Sequence, residues 1–205
     1  ILPEVIIYKR DGKWVTELTK NRPLLKLNSE YVSLMRESKI KTDLDYLRKN
    51  YNEAKFIIKS IKNRNMTILD VCREIFTRQI DFLNSGDIGM KPMTLKDVAE
   101  ALSIHESTVS RATSNKYVQT PRGVFELKYF FTSELATDTG KMISSKVIMK
   151  MIEECVKEEN VNQPLSDNQI SKYFTVKGIS IARRTITKYR EKLNIPSSTE
   201  RRKKS

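Results

Sequence analysis

Apolar residues recur at intervals of three and four over much of this chain, and that spacing predicts a mainly α-helical fold. The longest run is formed by Leu44, Leu47, Tyr51, Ala54, Ile57, Ile58 and Ile61. Asn63-Arg64-Asn65 is expected to interrupt this run. Thr67 is expected to cap a second helix that continues to about Ile80. The segment Ser85-Gly86-Asp87 should end the helical region.

The first residues lack this helical pattern. Val5–Tyr8 and Trp14–Val15 flank Asp11-Gly12, a dipeptide that favours tight hairpin turns. Residues 2–27 are therefore either a β-hairpin with its flanks or two extended pieces packed on helices. The sequence leaves both possibilities open.

Residues 95–115 fit a helix-turn-helix unit. Its buried positions would be Val98, Ala99, Leu102, Ile104, Val109 and Ala112, with Ser103 in place of the usual turn glycine. Glu106, Ser107, Ser110 and Arg111 would then face outward. His105 is the single histidine, and it is expected to cap or line the turn rather than to bind a metal. Such a helix pair also occurs as a plain packing unit, so it does not establish DNA binding alone.

A second helical unit lies near the C-terminus. Ser144 or Ser145 should cap a helix that carries Val147 to Val156, and Ile170, Phe174 and Ile186 mark two more helices. The turn between these two is longer than in the first unit. Gly178 is suited to the left-handed conformation that ends a helix. Ser180 is placed to cap the helix that follows.

Positive charge is concentrated in this C-terminal unit. The chain carries a net charge of +13 over 205 residues. Ten basic and two acidic residues lie between positions 176 and 205, so this segment contributes +8. Adjacent Arg183 and Arg184 should splay over one exposed surface while Ile181 and Ile186 turn inward. Because a guanidinium matches the O6 and N7 acceptors of guanine, two in succession suit neighbouring guanines. Expected phosphate contacts are Lys177, Thr185, Lys188, Tyr189 and Arg190.

Other chemistries find little support in the sequence. Cys72 and Cys155 have no CxxC spacing and no histidine partner, so they are expected to be reduced thiols. The aromatic strip at 125–131 could stack on bases, but its spacing favours a core surface. No nucleophile with a base and no metal-ligand set is found, so neither an enzyme nor a cofactor is expected. No apolar run is long enough for a membrane span, which indicates a cytoplasmic protein. Because Ile1 is no translation start, we expect a fragment.

The segment Ala182–Glu191 resembles the signature box of the sigma-54 family of bacterial RNA polymerase sigma factors. The common form of that box is Ala-Arg-Arg-Thr-Val-Ala-Lys-Tyr-Arg-Glu, from which only Ile186 and Thr187 depart. The hydroxyl of Thr187 is expected on a solvated face. Further likeness occurs at 53–60, 90–93, 105–111, 120–131 and 164–167. Essentially the whole chain is covered.

The resemblance implies three functional regions joined by linkers. Residues 1–89 would form a helical region that binds core RNA polymerase. Residues 90–136 would be a helix-turn-helix domain at the downstream GC element (minus 12), with Arg111 reading bases. Residues 137–143 would be a linker. Residues 144–205 would form a three-helix, helix-turn-helix-like domain in which Arg183 and Arg184 read the upstream GG element (minus 24).

Supporting contacts to DNA are assigned to Glu106, Ser107, Thr108, Ser110, Arg122 and Ser180.

The family has a glutamine- and leucine-rich region that responds to an ATP-driven activator. That region is missing here, so contacts with the activator are expected to be lost. The alternative is a self-standing transcriptional regulator with two helix-turn-helix units. Residues 2–89 are too long and too apolar for a simple arm, which favours the sigma interpretation.

Overall fold

A computed structural model describes residues 2–20, 25–37, 41–132, 134–136 and 142–202 of the chain. The helices are α1 Ser29–Glu37, α2 Lys41–Arg78, α3 Ile80–Ser85, α4 Leu95–Leu102, α5 Glu106–Thr113, α6 Ser145–Lys157, α7 Asp167–Val176, α8 Arg183–Lys192 and α9 Ser198–Arg201. The strands are β1 Val5–Arg10, β2 Lys13–Leu18, β3 Tyr117–Thr120, β4 Gly123–Glu126, β5 Glu134–Ala136 and β6 Met142–Ser144. Two 3-10 helices span Gly86–Gly89 and Leu127–Phe130. The prediction of a mainly helical fold is confirmed.

Strands β1 and β2 form an antiparallel hairpin around Asp11 and Gly12, whose φ angles are 50° and 77°. The hairpin interpretation of the first residues is therefore confirmed, since both turn residues adopt the positive φ that this turn needs. Strand β1 also pairs in parallel with β3, and β3 pairs with β4. The resulting sheet has the order β2-β1-β3-β4.

Helix α2 is continuous over 38 residues, so the predicted interruption at Asn63–Asn65 is wrong. The hydroxyl of Thr67 does not cap a helix but donates a hydrogen bond to the carbonyl of Asn63 at 3.0 Å. Asn63 and Arg64 are exposed, where a helix tolerates polar residues at little cost. The burial of α2 changes along its length. Its first part is largely exposed, whereas Ile68, Val71, Cys72 and Ile75 are buried.

The second half of α2 belongs to one hydrophobic core with the first helix-turn-helix unit and the sheet. This first core contains Val5, Ile7, Ile68, Val71, Cys72, Ile75, Phe76, Phe82, Leu83, Met90, Met93, Val98, Ala99, Val109, Ala112, Val118, Leu127 and Phe130. The sequence-based boundary at residue 89 lies inside this core. It is therefore not a structural boundary, because α2, α4 and α5 bury their apolar faces together.

The aromatic strip completes the first core. Phe130 is fully buried, and its ring meets Phe76 and Phe82 edge-on with centroids 4.8 Å and 5.1 Å apart. Phe125 also meets Phe82 edge-on, at 5.3 Å. The strip is thus a core surface, as its spacing favoured, although strand β4 and a 3-10 helix carry it rather than an α-helix.

The C-terminal unit has a core of its own, made of Ile148, Ile152, Ile170, Phe174, Ile179, Ile181 and Ile186. Helices α6, α7 and α8 enclose it, which confirms the three-helix arrangement. The short α9 is added to it. Arg201 of α9 forms a buried two-pronged ion pair with Glu159, with N–O distances of 2.7 Å and 3.0 Å.

Strands β5 and β6 pair with each other across the predicted linker, with Glu134 opposite Ser144 and Ala136 opposite Met142. Residues 142 and 143, predicted as linker, therefore belong to β6. Positions 137–141 lie outside the described residues. Among the helices that the structure describes, none is long and apolar enough to cross a membrane.

Candidate nucleic-acid interface

Helix α8 begins at Arg183, with Ala182 as its N-cap residue and no side-chain cap. The prediction that Ser180 caps this helix is wrong. Ile179 and Ile181 are both buried, so the extended segment between the helices alternates in burial and Ser180 is exposed. Gly178 has a φ of 76°, which confirms its predicted left-handed conformation after α7. The turn thus positions the start of α8 at the surface.

Arg183 and Arg184 are both exposed in the first turn of α8, while Ile186 is fully buried. Within the described residues, neither guanidinium group forms an ion pair or a hydrogen bond. A concave surface is lined by Ala182, Arg183, Arg184, Thr187, Lys188 and Glu191. Because the N-terminus of a helix carries partial positive charge, the helix dipole adds to the two guanidinium charges. The surface is suited to a polyanion.

Arg190 does not reach this surface. Its side chain is buried and donates to the two carboxylate oxygens of Asp167, at 2.9 Å and 3.3 Å, and to the carbonyl of Ile195 at 2.6 Å. The sequence-based assignment of Arg190 to phosphate is corrected, because all of these donors are directed into the domain. We assign Arg190 to the packing of α8 against α7.

Thr187 also contacts Asp167. Its hydroxyl is half-buried and donates to Asp167 at 2.8 Å, so the expected solvated face is wrong at this position. Burial alone would raise the pKa of Asp167, but the hydrogen bonds from Arg190 and Thr187 outweigh that effect, and the pKa is lowered. Sequence reasoning missed Asp167, which it noted only within the likeness at 164–167. The spacing of residues in α7 and α8 did not indicate that Asp167 contacts Thr187 and Arg190.

The remaining predicted phosphate contacts differ in exposure. Lys177 and Lys188 are exposed, whereas Thr185 and Tyr189 are half-buried. Tyr189 packs against the second core. The ammonium of Lys177 lies 4.5 Å from the ring centroid of Tyr173, a cation–π contact at the end of α7.

The first helix-turn-helix unit has the predicted helices and turn, with Val98, Ala99, Val109 and Ala112 buried as expected, whereas Leu102, Ile104 and Ser110 are half-buried. Ser103 adopts the left-handed conformation with a φ of 53° at the turn. His105 is the N-cap residue of α5, and its Nδ1 accepts a hydrogen bond from the backbone of Ser107 at 3.1 Å. The expectation that His105 caps the turn is confirmed. Within the described residues, no group of three or more histidine, cysteine or acidic side chains could hold a metal ion.

Helix α5 presents Glu106, Ser107 and Arg111 to solvent, with Thr108 and Ser110 half-buried. The guanidinium of Arg111 forms no ion pair with any described residue. The hairpin of β3 and β4 follows α5 directly. Arg122 is at the tip of this hairpin.

The guanidinium of Arg122 is occupied by the end of α3. Its Nε donates to the carbonyl of Leu83 at 3.0 Å, and a terminal nitrogen donates to the carbonyl of Asn84. Carbonyls at a helix C-terminus lack helical partners, so an arginine satisfies them well. Arg122 therefore holds the β3–β4 hairpin against α3, while its side chain stays exposed, and its assignment to DNA stays a prediction.

Comparison with known proteins identifies the family. The profile of the family described as "Sigma-54, DNA binding domain" matches residues 44–203. The chain belongs to the sigma-54 family. The RNA polymerase sigma-54 factor of Vibrio anguillarum is 46% identical over 204 residues, which are 99% of this chain and 42% of that protein. The factor of Escherichia coli K12 is 41% identical over 203 residues, 98% of this chain and 43% of that protein.

A solved structure of Aquifex aeolicus sigmaN bound to promoter DNA is also similar. The TM-score is 0.66 at 36% identity, over 98% of this chain and 60% of that one. The chain thus spans less than half the length of the curated sigma-54 factors that it matches. The likeness extends over nearly all of the chain, including its first residues, so the alternative of a self-standing regulator is not favoured.

Proposed function

We propose that this sigma-54 family chain binds promoter DNA, with α8 in the major groove and Arg183 and Arg184 at neighbouring G·C pairs. The observation that carries the proposal is the state of these two arginines. Both are exposed and form no ion pair or hydrogen bond with the residues that the structure describes, whereas Arg190 and Arg201, equally basic residues of the same domain, are held in buried ion pairs. A bidentate arginine contact distinguishes guanine from other bases by about 1–3 kcal/mol.

Phosphate contacts in this arrangement come from Lys177, Thr185 and Lys188, which flank the arginine pair. These contacts position the protein without reading sequence. A second element of the duplex is contacted by α5, with Arg111 as the base reader and Glu106, Ser107, Thr108 and Ser110 beside it. Support comes from Arg111, which is exposed and forms no ion pair within the described part of the chain, and from the likeness to a promoter-bound sigmaN.

The exposed half of α2 is the surface that we assign to core RNA polymerase. Large apolar side chains face solvent there: Tyr46 and Phe56 are 67% and 71% exposed, and Ile57 and Ile61 are also exposed. Contiguous exposed apolar residues mark interaction surfaces. This supports a polymerase-binding surface that is smaller than residues 1–89, because the second half of α2 is already buried in the first core. Such a factor acts in the cytoplasm and needs no catalysis of its own.

The decisive experiment measures binding of Arg183→Ala and Arg184→Ala to a duplex with a GG element and to a scrambled duplex. Each change should weaken binding to the GG duplex by about 1–3 kcal/mol and affect scrambled DNA much less. Arg10→Ala is the matched control, because Arg10 is exposed on the hairpin far from α8 in sequence. Equal losses on both duplexes would show that the arginines touch only phosphate.

A further inference from the structure

Helix α6 contacts both hydrophobic cores. Ile148 and Ile152 are fully buried in the second core, whereas the neighbouring Val147 packs against the first. The same helix contacts the 3-10 helix at 86–89, which belongs to the first unit. A single helix therefore joins the unit that contains α5 to the unit that contains α8.

A chain of three polar side chains crosses this junction. The ammonium of Lys146, on α6, lies over the ring of Tyr129 within cation–π contact distance. The hydroxyl of Tyr129 donates to the carboxylate of Asp87 at 2.5 Å. Tyr129 itself is fixed by aromatic contacts with Phe82, Phe125 and Phe130, at centroid distances of 6.3, 5.2 and 5.5 Å. The ring is thus a rigid surface on the first unit that receives the lysine of the second.

The environment of Lys146 shows how closely the two units approach. Burial lowers the pKa of Lys146 to about 8, with Lys192 of α8 adding to the shift and Asp87 opposing it. Burial likewise raises the pKa of Tyr129, and the hydrogen bond to Asp87 adds to that shift. Charges from both units thus act on this lysine.

Strand pairing also brings the two ends of the covalent connection between the units close together. Strands β5 and β6 pair over three residue pairs, so the residues on either side of positions 137–141 are one strand spacing apart. A free linker of seven residues would let the units separate by roughly 15 Å, from the root-mean-square span of a flexible chain. The paired strands hold the base of the connection closed.

We propose that the contact of Lys146 with the ring of Tyr129, whose hydroxyl is held by Asp87, sets the separation of the two DNA-binding helices, and thereby the spacing between promoter elements that the chain accepts. The inference rests on the proposed function, because it concerns how α5 and α8 engage one duplex. Two DNA-binding helices held at a fixed separation bind best at one spacing of the promoter elements, since each inserted base pair moves and rotates the second element. Loosening this contact should reduce the loss of affinity on altered spacings without changing the DNA contacts of α5 or α8.

The test measures the affinity of the chain for duplexes whose GG and GC elements are about one helical turn apart, and for duplexes with two base pairs inserted or removed. The wild-type chain should lose about tenfold or more on the altered spacings. Lys146→Met keeps the length of the side chain but removes its charge, and it should reduce the loss to about threefold or less. The ratio between spacings cancels any general loss of electrostatic affinity.

Lys150→Met is the matched control, because Lys150 lies one turn further along α6 and pairs with Glu153 of its own helix. It should leave the spacing ratio unchanged. Tyr129→Phe is a second control, because it removes only the hydrogen bond to Asp87 within the first unit and keeps the ring under Lys146. It should leave the spacing ratio unchanged. A wild-type ratio in Lys146→Met would overturn the inference. A wild-type chain that does not distinguish the two-element duplex from scrambled DNA would instead contradict the proposed function.

Small-angle X-ray scattering of the free chain tests the joint without DNA. Lys146→Met should increase the radius of gyration, while Lys150→Met should not, because only the first change releases the two units from each other. An unchanged radius of gyration in Lys146→Met would also overturn the inference. Unfolding of a variant is recognised separately by its far-ultraviolet circular dichroism.

Discussion

Two arginines of the signature segment have opposite environments. Arg184 is exposed, whereas Arg190 is 7% exposed and bound to Asp167. The sequence identifies both as basic residues of one helix, and helical spacing places Ile186 inside correctly. The role of Arg190 could not be predicted because Asp167 lies 23 residues away, on another helix. The contacts of Arg122 could not be predicted for the same reason, because its carbonyl partners lie 38 and 39 residues away.

Thr187 offers a test at this scale, because the family's common form has alanine there. The hydrogen bond from Thr187 to the Asp167 carboxylate stabilises the domain, while alanine has the higher helix propensity. The hydrogen bond should dominate, so we expect Thr187→Ala to lower the free energy of unfolding by about 1 kcal/mol. Urea denaturation measures the change.

Thr175→Ala is the control for Thr187→Ala, because the hydroxyl of Thr175 is exposed and donates only within α7, to Ser171. This change should be neutral or slightly stabilising. Equal effects of the two substitutions would mean that the contact with Asp167 adds nothing to stability.

At the scale of elements, local signals predicted the structure well where the determinants are close in sequence. The hairpin at Asp11-Gly12, the cap at Ser144 and the turn at Ser103 all depend on residues within a few positions. Two features that involve distant partners were missed: the parallel pairing of β1 with β3, and the contacts of Gln79. Gln79 is fully buried and bonds to the backbone of Lys91 in both directions, at 2.8 Å and 3.0 Å.

The turn between α4 and α5 provides a prediction about backbone conformation. A non-glycine residue in the left-handed region costs about 1 kcal/mol, and Ser103 has a φ of 53°. Glycine removes this strain but increases the entropy of the unfolded chain. We therefore expect Ser103→Gly to raise the free energy of unfolding modestly, by about 0.5 kcal/mol.

Ala101→Gly provides the contrast, since Ala101 is exposed and helical in the last turn of α4. It should destabilise by roughly 0.5–1 kcal/mol, because glycine disfavours the helix. Thermal denaturation followed by circular dichroism compares the two variants. A destabilised Ser103→Gly variant would show that the serine side chain contributes more than its backbone strain costs.

At the scale of the whole molecule, the distribution of charge bears on the DNA binding that we propose. The chain carries +13 in total, with +8 in residues 176–205. Each phosphate contact releases condensed counterions, so the logarithm of the binding constant falls linearly with the logarithm of salt concentration. Lys188 lies one helical turn beyond Arg184 on the exposed face of α8, next to the arginine pair that we propose reads bases. It is therefore the residue whose loss should change affinity without changing sequence preference.

We expect Lys188→Ala to weaken binding to GG and scrambled duplexes equally and to reduce the salt slope by about one unit. Titrations at several salt concentrations measure the slope directly. Lys13→Ala, on the exposed edge of the N-terminal hairpin, removes the same charge far from α8 in sequence and should leave the slope unchanged. If both variants lowered the slope equally, the overall positive charge of the chain would govern binding, and no specific phosphate contact could be assigned to α8. A slope that changes only with Lys188 locates a phosphate contact on the helix that carries the arginine pair.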